Sequence, residues 1–257
     1  MRLLDDFTPI IHELPGCTTK IYAIADVHIG AQEADIDGFQ RFINRIAAED
    51  NAYIVVCGDV INNGIRSANC PTNIYDETMP PQAQVDKAVS LLKPVANKIL
   101  GAVSGNHENR TRKAVDLDPM LSIMTHLRIE HLYRRHMAFM RIKLRNGGIH
   151  DTYAILLTHG KSENKKKRFD YAIEGVDAII HGHTHSGLIG KNAKLVFSSN
   201  NVVKVKPFIS LTATSWLKYG GYASEAMYLP QSTSDPQALV LEWTGSNNRQ
   251  GTIRTIW

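Results

Sequence analysis

Residues 20–28 read KIYAIADVH, residues 53–59 read YIVVCGD, and residues 99–107 read ILGAVSGNH. Each is a short apolar run that stops at polar side chains of the ligand type. A run of this length bounded by polar residues is what a buried strand requires. Between the first two runs, Ile36, Phe39, Phe42, Ile43 and Ile46 fall at helical spacing within residues 35–48. Between the second and third, Val85, Ala88, Val89 and Leu92 do the same within residues 82–92. The first half therefore reads β-α-β-α-β. In α/β sheets, sites gather at the carboxyl ends of strands. Three successive strand ends here deliver Asp-x-His, Gly-Asp and Gly-Asn-His.

The rest of the chain extends this frame. Residues 61–81 are polar and rich in Asn and Pro, a long loop of the kind that is functional or mobile. A helix is expected over residues 119–127, a strand over 136–144, and a turn at Asn146-Gly147-Gly148. A strand over residues 153–158 ends at His159-Gly160. Another over 177–180 runs into His181-Gly182-His183-Thr184-His185. A helix is expected over residues 168–174, with further strands over 195–197, 208–212, 238–242 and 252–256. A second sheet packed on the first would bury the apolar sets of both.

The 257 residues suffice for one large α/β domain, and 43% hydrophobic content supports a real core. Charged residues at 21% argue against extensive disorder. The net charge of +4 and pI of about 8.9 suit an anionic substrate without specifying one. Cys17, Cys57 and Cys70 are odd in number and form no CxxC pair, which disfavours a disulfide framework or a thiolate zinc site. That usage fits a reducing cytoplasm. The first residues carry Asp5, Asp6 and Glu13 and do not read as a signal peptide. No run reaches the ~18–20 apolar residues of a membrane helix, so no membrane partner is expected.

The polar residues at the strand ends form a ligand inventory. Divalent transition metals take imidazole and carboxylate, with some neutral oxygens. Asp26-Val27-His28 offers a carboxylate and an imidazole two residues apart. Asp59 follows on the next strand, and a carboxylate there can bridge two cations about 3.5–4 Å apart. Gly58 keeps a side chain out of a crowded place. Asn106 offers a neutral oxygen, and His107 and His159 each offer an imidazole. His183-Thr184-His185 repeats the two-residue spacing. Each motif alone is weak; five in order, each at the end of an apolar run, are specific.

In these motifs the chain resembles the calcineurin-like metallophosphoesterases. That family carries DxH, GD, GNH[DE], a lone His and GHxH in this order, and here all five stand between residues 26 and 185. The resemblance implies an α/β fold, a four-layer sandwich of two packed mixed β-sheets flanked by α-helices. It implies one metallophosphoesterase domain over residues 1–257, with residues 186–257 completing the second sheet. It further implies two divalent metal ions, with manganese expected and iron, zinc or nickel compatible. One would be held by Asp26, His28, Asp59 and His185. The other would be held by Asp59, Asn106, His159 and His183. His107 would face the substrate and protonate the leaving oxygen. Glu108 would orient His107 or serve structure.

Phosphoprotein phosphatases of this superfamily extend the second motif to GDxVDRG, whose arginine binds phosphate. Here the sequence is Gly58-Asp59-Val60-Ile61-Asn62-Asn63-Gly64, without the arginine; Asn62 or Asn63 could partly replace it. The DxHxG form completed by Gly30 is similar to DNA-repair exonucleases and to the small subunit of archaeal replicative polymerases. Arg110, Arg112 and Lys113 follow the GNHE motif, and Lys161 to Arg168 begin just past His159. Of these, Arg110, Arg112, Lys165 and Lys166 are candidate contacts to a polynucleotide backbone. A solvated loop and helix start is the bland alternative for the lysine run. Trp216, Tyr219 and Tyr222 could stack on bases, although core packing is the commoner role. The expectation is a phosphodiesterase acting on nucleic acid or nucleotides. Its rivals are a phosphomonoesterase and a non-catalytic binding scaffold.

Overall fold

The computed structural model describes residues 6–66, 74–146, 149–185, 187–197, 201–221, 224, 236–244 and 252–256. Strand β1 (Ile10–Pro15) opens the chain and leads through a turn at Gly16 into β2 (Thr18–Ile24). Helix α1 (Ile36–Ala48) crosses to β3 (Ala52–Val56), and α2 (Pro81–Leu92) with a 3-10 turn crosses to β4 (Ile99–Val103). Helices α3 (Glu108–Val115) and α4 (Pro119–His126) precede the short β5 (Tyr133–Arg134). Then come β6 (Met137–Asn146), β7 (Ile149–Thr158), α5 (Glu163–Ala172) and β8 (Ala178–His181). The chain ends with β9 (Leu188–Phe197), β10 (Val203–Thr212), β11 (Ala238–Glu242) and β12 (Thr252–Ile256).

These strands form two six-stranded mixed sheets, ordered β12-β11-β2-β3-β4-β5 and β1-β6-β7-β8-β10-β9. In the first, β2 to β5 are parallel and β11 adds antiparallel to β2. In the second, β7, β8 and β10 are parallel. The expected four-layer architecture is present. One expectation about it is corrected: residues 186–257 do not simply complete the second sheet. β9 and β10 do, but β11 and β12 return to the first, whereas β1 crosses to the second beside β6. Alternating apolar residues tell a strand which face to bury, not which sheet to join.

Helix α1 follows from its sequence. Asp35 caps it by accepting from the Gly38 amide, and Phe39, Phe42, Ile43 and Ile46 bury one face. Each such side chain contributes about 1.5–3 kcal/mol of burial. The sheets meet where Gly101 of β4 leaves room for Met140, Leu157 and Ile10. Tyr153 in β7 ties across the seam by donating to the Glu242 carbonyl of β11 at 2.6 Å.

Helix α5 differs from expectation. It begins at Glu163, so the lysine run lies inside it rather than before it. Glu, Lys and Arg are good helix formers, and no apolar stripe marks the start because the inward face carries Lys166 and Asp170, both buried. Lys166 donates to Thr184 and Thr212 at 2.9 and 3.0 Å. Asp170 accepts from His181 Nε2 at 2.7 Å and from Ser210 at 2.6 Å. Beyond this polar layer, Phe169 and Ile173 pack on Leu156, Val176, Ile179 and Phe208. Asp170→Ala strands the buried His181 donor and the partly buried Ser210 hydroxyl, so it should destabilise the fold by about 2–4 kcal/mol. A shift of the urea midpoint at constant slope is the measurement; an unchanged midpoint contradicts the packing described.

Candidate metal centre

Strands β2, β3 and β4 of the first sheet and β7 and β8 of the second all end at one rim. The loops they release are tightly laced. Asp26 N–H donates to the Gly58 carbonyl and His28 N–H to that of Asp59, both at 3.1 Å. Gly182 N–H reaches the His159 carbonyl at 3.1 Å, and His183 N–H reaches Asp26 Oδ2 at 2.8 Å. Asp26, His28, Asp59, His183 and His185 all have φ between 51° and 76°. Left-handed backbone costs a non-glycine residue roughly 1–3 kcal/mol. The strain re-aims these side chains: Asp26 and His28 do not share a face by strand alternation, since β2 has already ended at Ile24.

Two groups of donors result. In the first, Asp26 Oδ1 lies 3.8 Å from His28 Nε2 and 3.3 Å from His185 Nε2, and the two nitrogens are 3.3 Å apart. In the second, His159 Nε2 lies 3.2 Å from Asp59 Oδ2, 3.2 Å from His183 Nδ1 and 3.0 Å from Asn106 Oδ1. Asp59 also groups with His28 and His107. Donors about 2.1 Å from one ion stand roughly 3.0–3.4 Å from each other in tetrahedral or octahedral sites. All these edges but the longer Asp26–His28 one, at 3.8 Å, match that range, so each group fits a divalent ion, with Asp59 near both through its grouping with His28.

Orientation and charge agree. His159 Nδ1 donates to the Cys57 carbonyl at 2.6 Å, which turns Nε2 toward Asp59 and Asn106. Burial alone would lower the His159 pKa, but Asp59 and Asp26 raise it to about 10. Asp59 is itself held well below the usual carboxylate range by the facing imidazoles, against the opposing effect of burial. Burial drives His28 well down, and His107 adds to it. Two buried carboxylates thus demand positive charge, which protons or divalent ions can supply.

Glu108 has a role of its own. Fully buried, it accepts from four backbone amides: Asp59 at 3.0 Å, Val60 at 2.7 Å, Ile61 at 3.2 Å and Gly105 at 2.9 Å. One carboxylate thereby clamps the Gly-Asp loop to the Gly-Asn-His loop. Burial and the Asp59 charge push its pKa up to about 7, while the amides pull it down. Gly58 and Gly105 are required by the same contact: a Cβ on Gly58 would stand 2.4 Å from Gly105 N, and one on Gly105 would stand 2.1 Å from Asp59 Oδ1.

His107 sits beside the donors, its Nε2 3.9 Å from Asp59 Oδ2. Its Nδ1 lies 2.5 Å from the Asn62 carbonyl, which can only accept, so Nδ1 carries the proton. Arg110 Nη2 donates to Nε2 at 3.0 Å. The Asn62 side chain, expected to face substrate, instead donates to Glu77 at 2.8 Å. That of Asn63 is buried between the His107 carbonyl and Thr111. Arg112 turns onto Asn109 of its own helix at 2.9 Å. Lys165 is exposed on α5, but Lys166 is only 3% exposed and props the His183–His185 loop through Thr184, so it is not a surface contact. Trp216 is buried against Phe39 and Phe42, Tyr219 is exposed, and Tyr222 and Cys70 lie outside the described residues. His181 points to Asp170, away from the donors. Sequence reading left Glu108 between two roles and singled out neither Asp170 nor Glu77, which takes the Asn62 amide.

The clamp predicts that Glu108→Gln, which keeps the shape but replaces an acceptor oxygen with a donor facing amide N–H groups, loosens both loops. Metal content per chain after dialysis against manganese should fall, with less effect from a control at exposed Glu174. Full retention of metal removes the clamp from the site.

No curated protein matches the chain. Solved structures similar to it include a metallophosphoesterase from Sphaerobacter thermophilus (12% identity, 93% of this chain and 89% of that one covered, TM-score 0.40). Also similar are Vps29 from Chaetomium thermophilum (9% identity, 94% and 96% covered, TM-score 0.39) and GAP50 of Plasmodium (13% identity, 94% and 85% covered, TM-score 0.45). The family model for calcineurin-like phosphoesterases matches residues 19–187. That match contains every strand end from which the donors project, and the chain belongs to the calcineurin-like phosphoesterase family.

Proposed function

We propose that this chain is a dinuclear metal-dependent phosphodiesterase acting on nucleic acid or nucleotides, with manganese as its working metal. The observation that carries the dinuclear reading is the pair of adjacent donor groups, Asp26 with His28 and His185 and Asp59 with His159 and His183, with Asp59 also grouped with His28. Asp26, His28, Asp59 and His185 would hold one ion, and Asp59, Asn106, His159 and His183 the other. When bound, such ions supply Lewis acidity toward phosphoryl oxygens and acidify water near neutral pH.

The remaining chemistry belongs to His107. Its Nε2 faces the donor cluster while Asn62 fixes Nδ1–H. A protonated ring would give its Nε2 proton to the departing alkoxide, leaving the Nδ1–H tautomer that the Asn62 carbonyl stabilises. Support for a polyanionic substrate comes from α5 and the residues just before it. Lys161, Lys165, Lys167 and Arg168 are exposed, and no ion pair engages them among the described residues. The helix starts beside the loop carrying His183 and His185, to which Lys166 anchors it. No described helix is long and apolar enough to cross a membrane, and a free, buried Cys57 suits the cytoplasm.

With manganese, the protein should hydrolyse bis(p-nitrophenyl) phosphate. His107→Ala should keep two ions per chain yet lose about 10²–10⁴-fold in kcat on esters with poor leaving groups. Inactivity with every divalent metal tried sinks the hydrolase reading, and metal loss in His107→Ala makes that residue a ligand. Binding of a single-stranded oligonucleotide should weaken with salt, at a slope reduced by about 1.4 in the Lys165→Glu, Arg168→Glu double variant. An unaltered slope takes α5 out of the substrate track.

A further inference from the structure

The phosphoprotein phosphatases place a phosphate-binding arginine shortly after Gly-Asp, and this chain has none there. The two asparagines at that place do not substitute for it. The Asn62 amide is spent on Glu77 at 2.8 Å and the Asn63 amide on the His107 carbonyl at 2.6 Å. A guanidinium reaches the same spot from another element. Arg110, in the first turn of α3, extends Nη1 to the Asn62 carbonyl and Nη2 to His107 Nε2, each at 3.0 Å. Two other cations near the motifs are committed elsewhere: Arg112 to Asn109, and Lys166 beneath Thr184.

Arg110 Nη2 and Asp59 Oδ2 stand on the same His107 nitrogen, at 3.0 and 3.9 Å. The guanidinium therefore lies within two short contacts of the Asp59 cluster, close enough for a phosphate held at that cluster to offer it an oxygen. The exchange is favourable in kind. A neutral imidazole nitrogen is a weak acceptor for a guanidinium, whereas a phosphate oxyanion is a strong one that arginine's fork can grip twice. The same movement would vacate His107 Nε2, the atom that must face the leaving oxygen.

We propose that Arg110 is the phosphate-recognition residue of this site: its guanidinium leaves His107 Nε2 and grips the non-bridging oxygens of the bound phosphate. It would do from helix α3 what an arginine after Gly-Asp does in the phosphoprotein phosphatases. This rests on the phosphoester reading above but is testable without turnover. Orthophosphate is titrated calorimetrically into the manganese-loaded wild type, Arg110→Ala and Arg110→Lys. Arg110→Ala should bind about 10–100-fold more weakly, with manganese content and melting temperature unchanged. Arg110→Lys should recover part of the loss, and added guanidinium ion should restore binding to Arg110→Ala. Affinity within twofold of wild type in Arg110→Ala overturns the proposal. So does a loss that neither Arg110→Lys nor guanidinium reverses, because that marks a structural role. A wild type that binds orthophosphate through Arg110 but cleaves no ester would sink the hydrolase reading and leave this one standing.

Discussion

Two carboxylates, Asp26 and Asp59, lie at the seam between the sheets with at most 1% of their surface exposed. Burying one unpaired carboxylate is already costly, and burying two close together is worse. The rim is organised around that cost. Five imidazoles, those of His28, His107, His159, His183 and His185, stand around the pair. Their proton affinities divide accordingly: Asp59 lifts His159 against burial, while burial drives down His28. A site of this kind binds cations because the fold has already met the expense of holding its anions apart from water.

That expense is met by backbone as much as by side chains. Glu108 gathers four amides around one carboxylate, and His183 N–H donates directly to Asp26. The positive φ angles at Asp26, His28, Asp59, His183 and His185 are held by such bonds, since a strained residue persists only where its surroundings over-determine it. The loops are therefore pre-shaped before any ion arrives, and less ordering is required on binding.

What the sequence disclosed follows from the same physics. The gathering of Asp26, His28, Asp59, His159, His183 and His185 at one rim was legible because few residue types can serve as metal donors, and because each sits where an apolar run stops. The parallel strands β2, β3 and β4 were legible because they are buried on both faces. Glu108 was not, since its partners are amides of Asp59, Val60 and Ile61, which carry no side-chain signature. The asparagines misled for a related reason: amide side chains suit a phosphate, but Glu77 and His107 reach them first. Helix α5 hid its first half because its inward face is Lys166 and Asp170 rather than apolar. β11 and β12 were located correctly as strands, yet nothing in their alternation names the sheet they join.

The sheet crossing bears on function. Asp26, Asp59 and Asn106 hang from the first sheet, and His159, His183 and His185 from the second. Neither donor group is complete within one sheet: Asp26 needs His185, and Asp59 needs His159. The separation of the two groups is thus set by how β2, β3 and β4 pack on β7 and β8. The exchange of β1 to the second sheet and of β11 and β12 to the first ties the sheets from both ends of the chain, and Tyr153 bonds across them to Glu242. A sandwich held this way cannot slide without moving one donor group relative to the other. The stiffness of the core is therefore itself part of what fixes the spacing of the two donor groups.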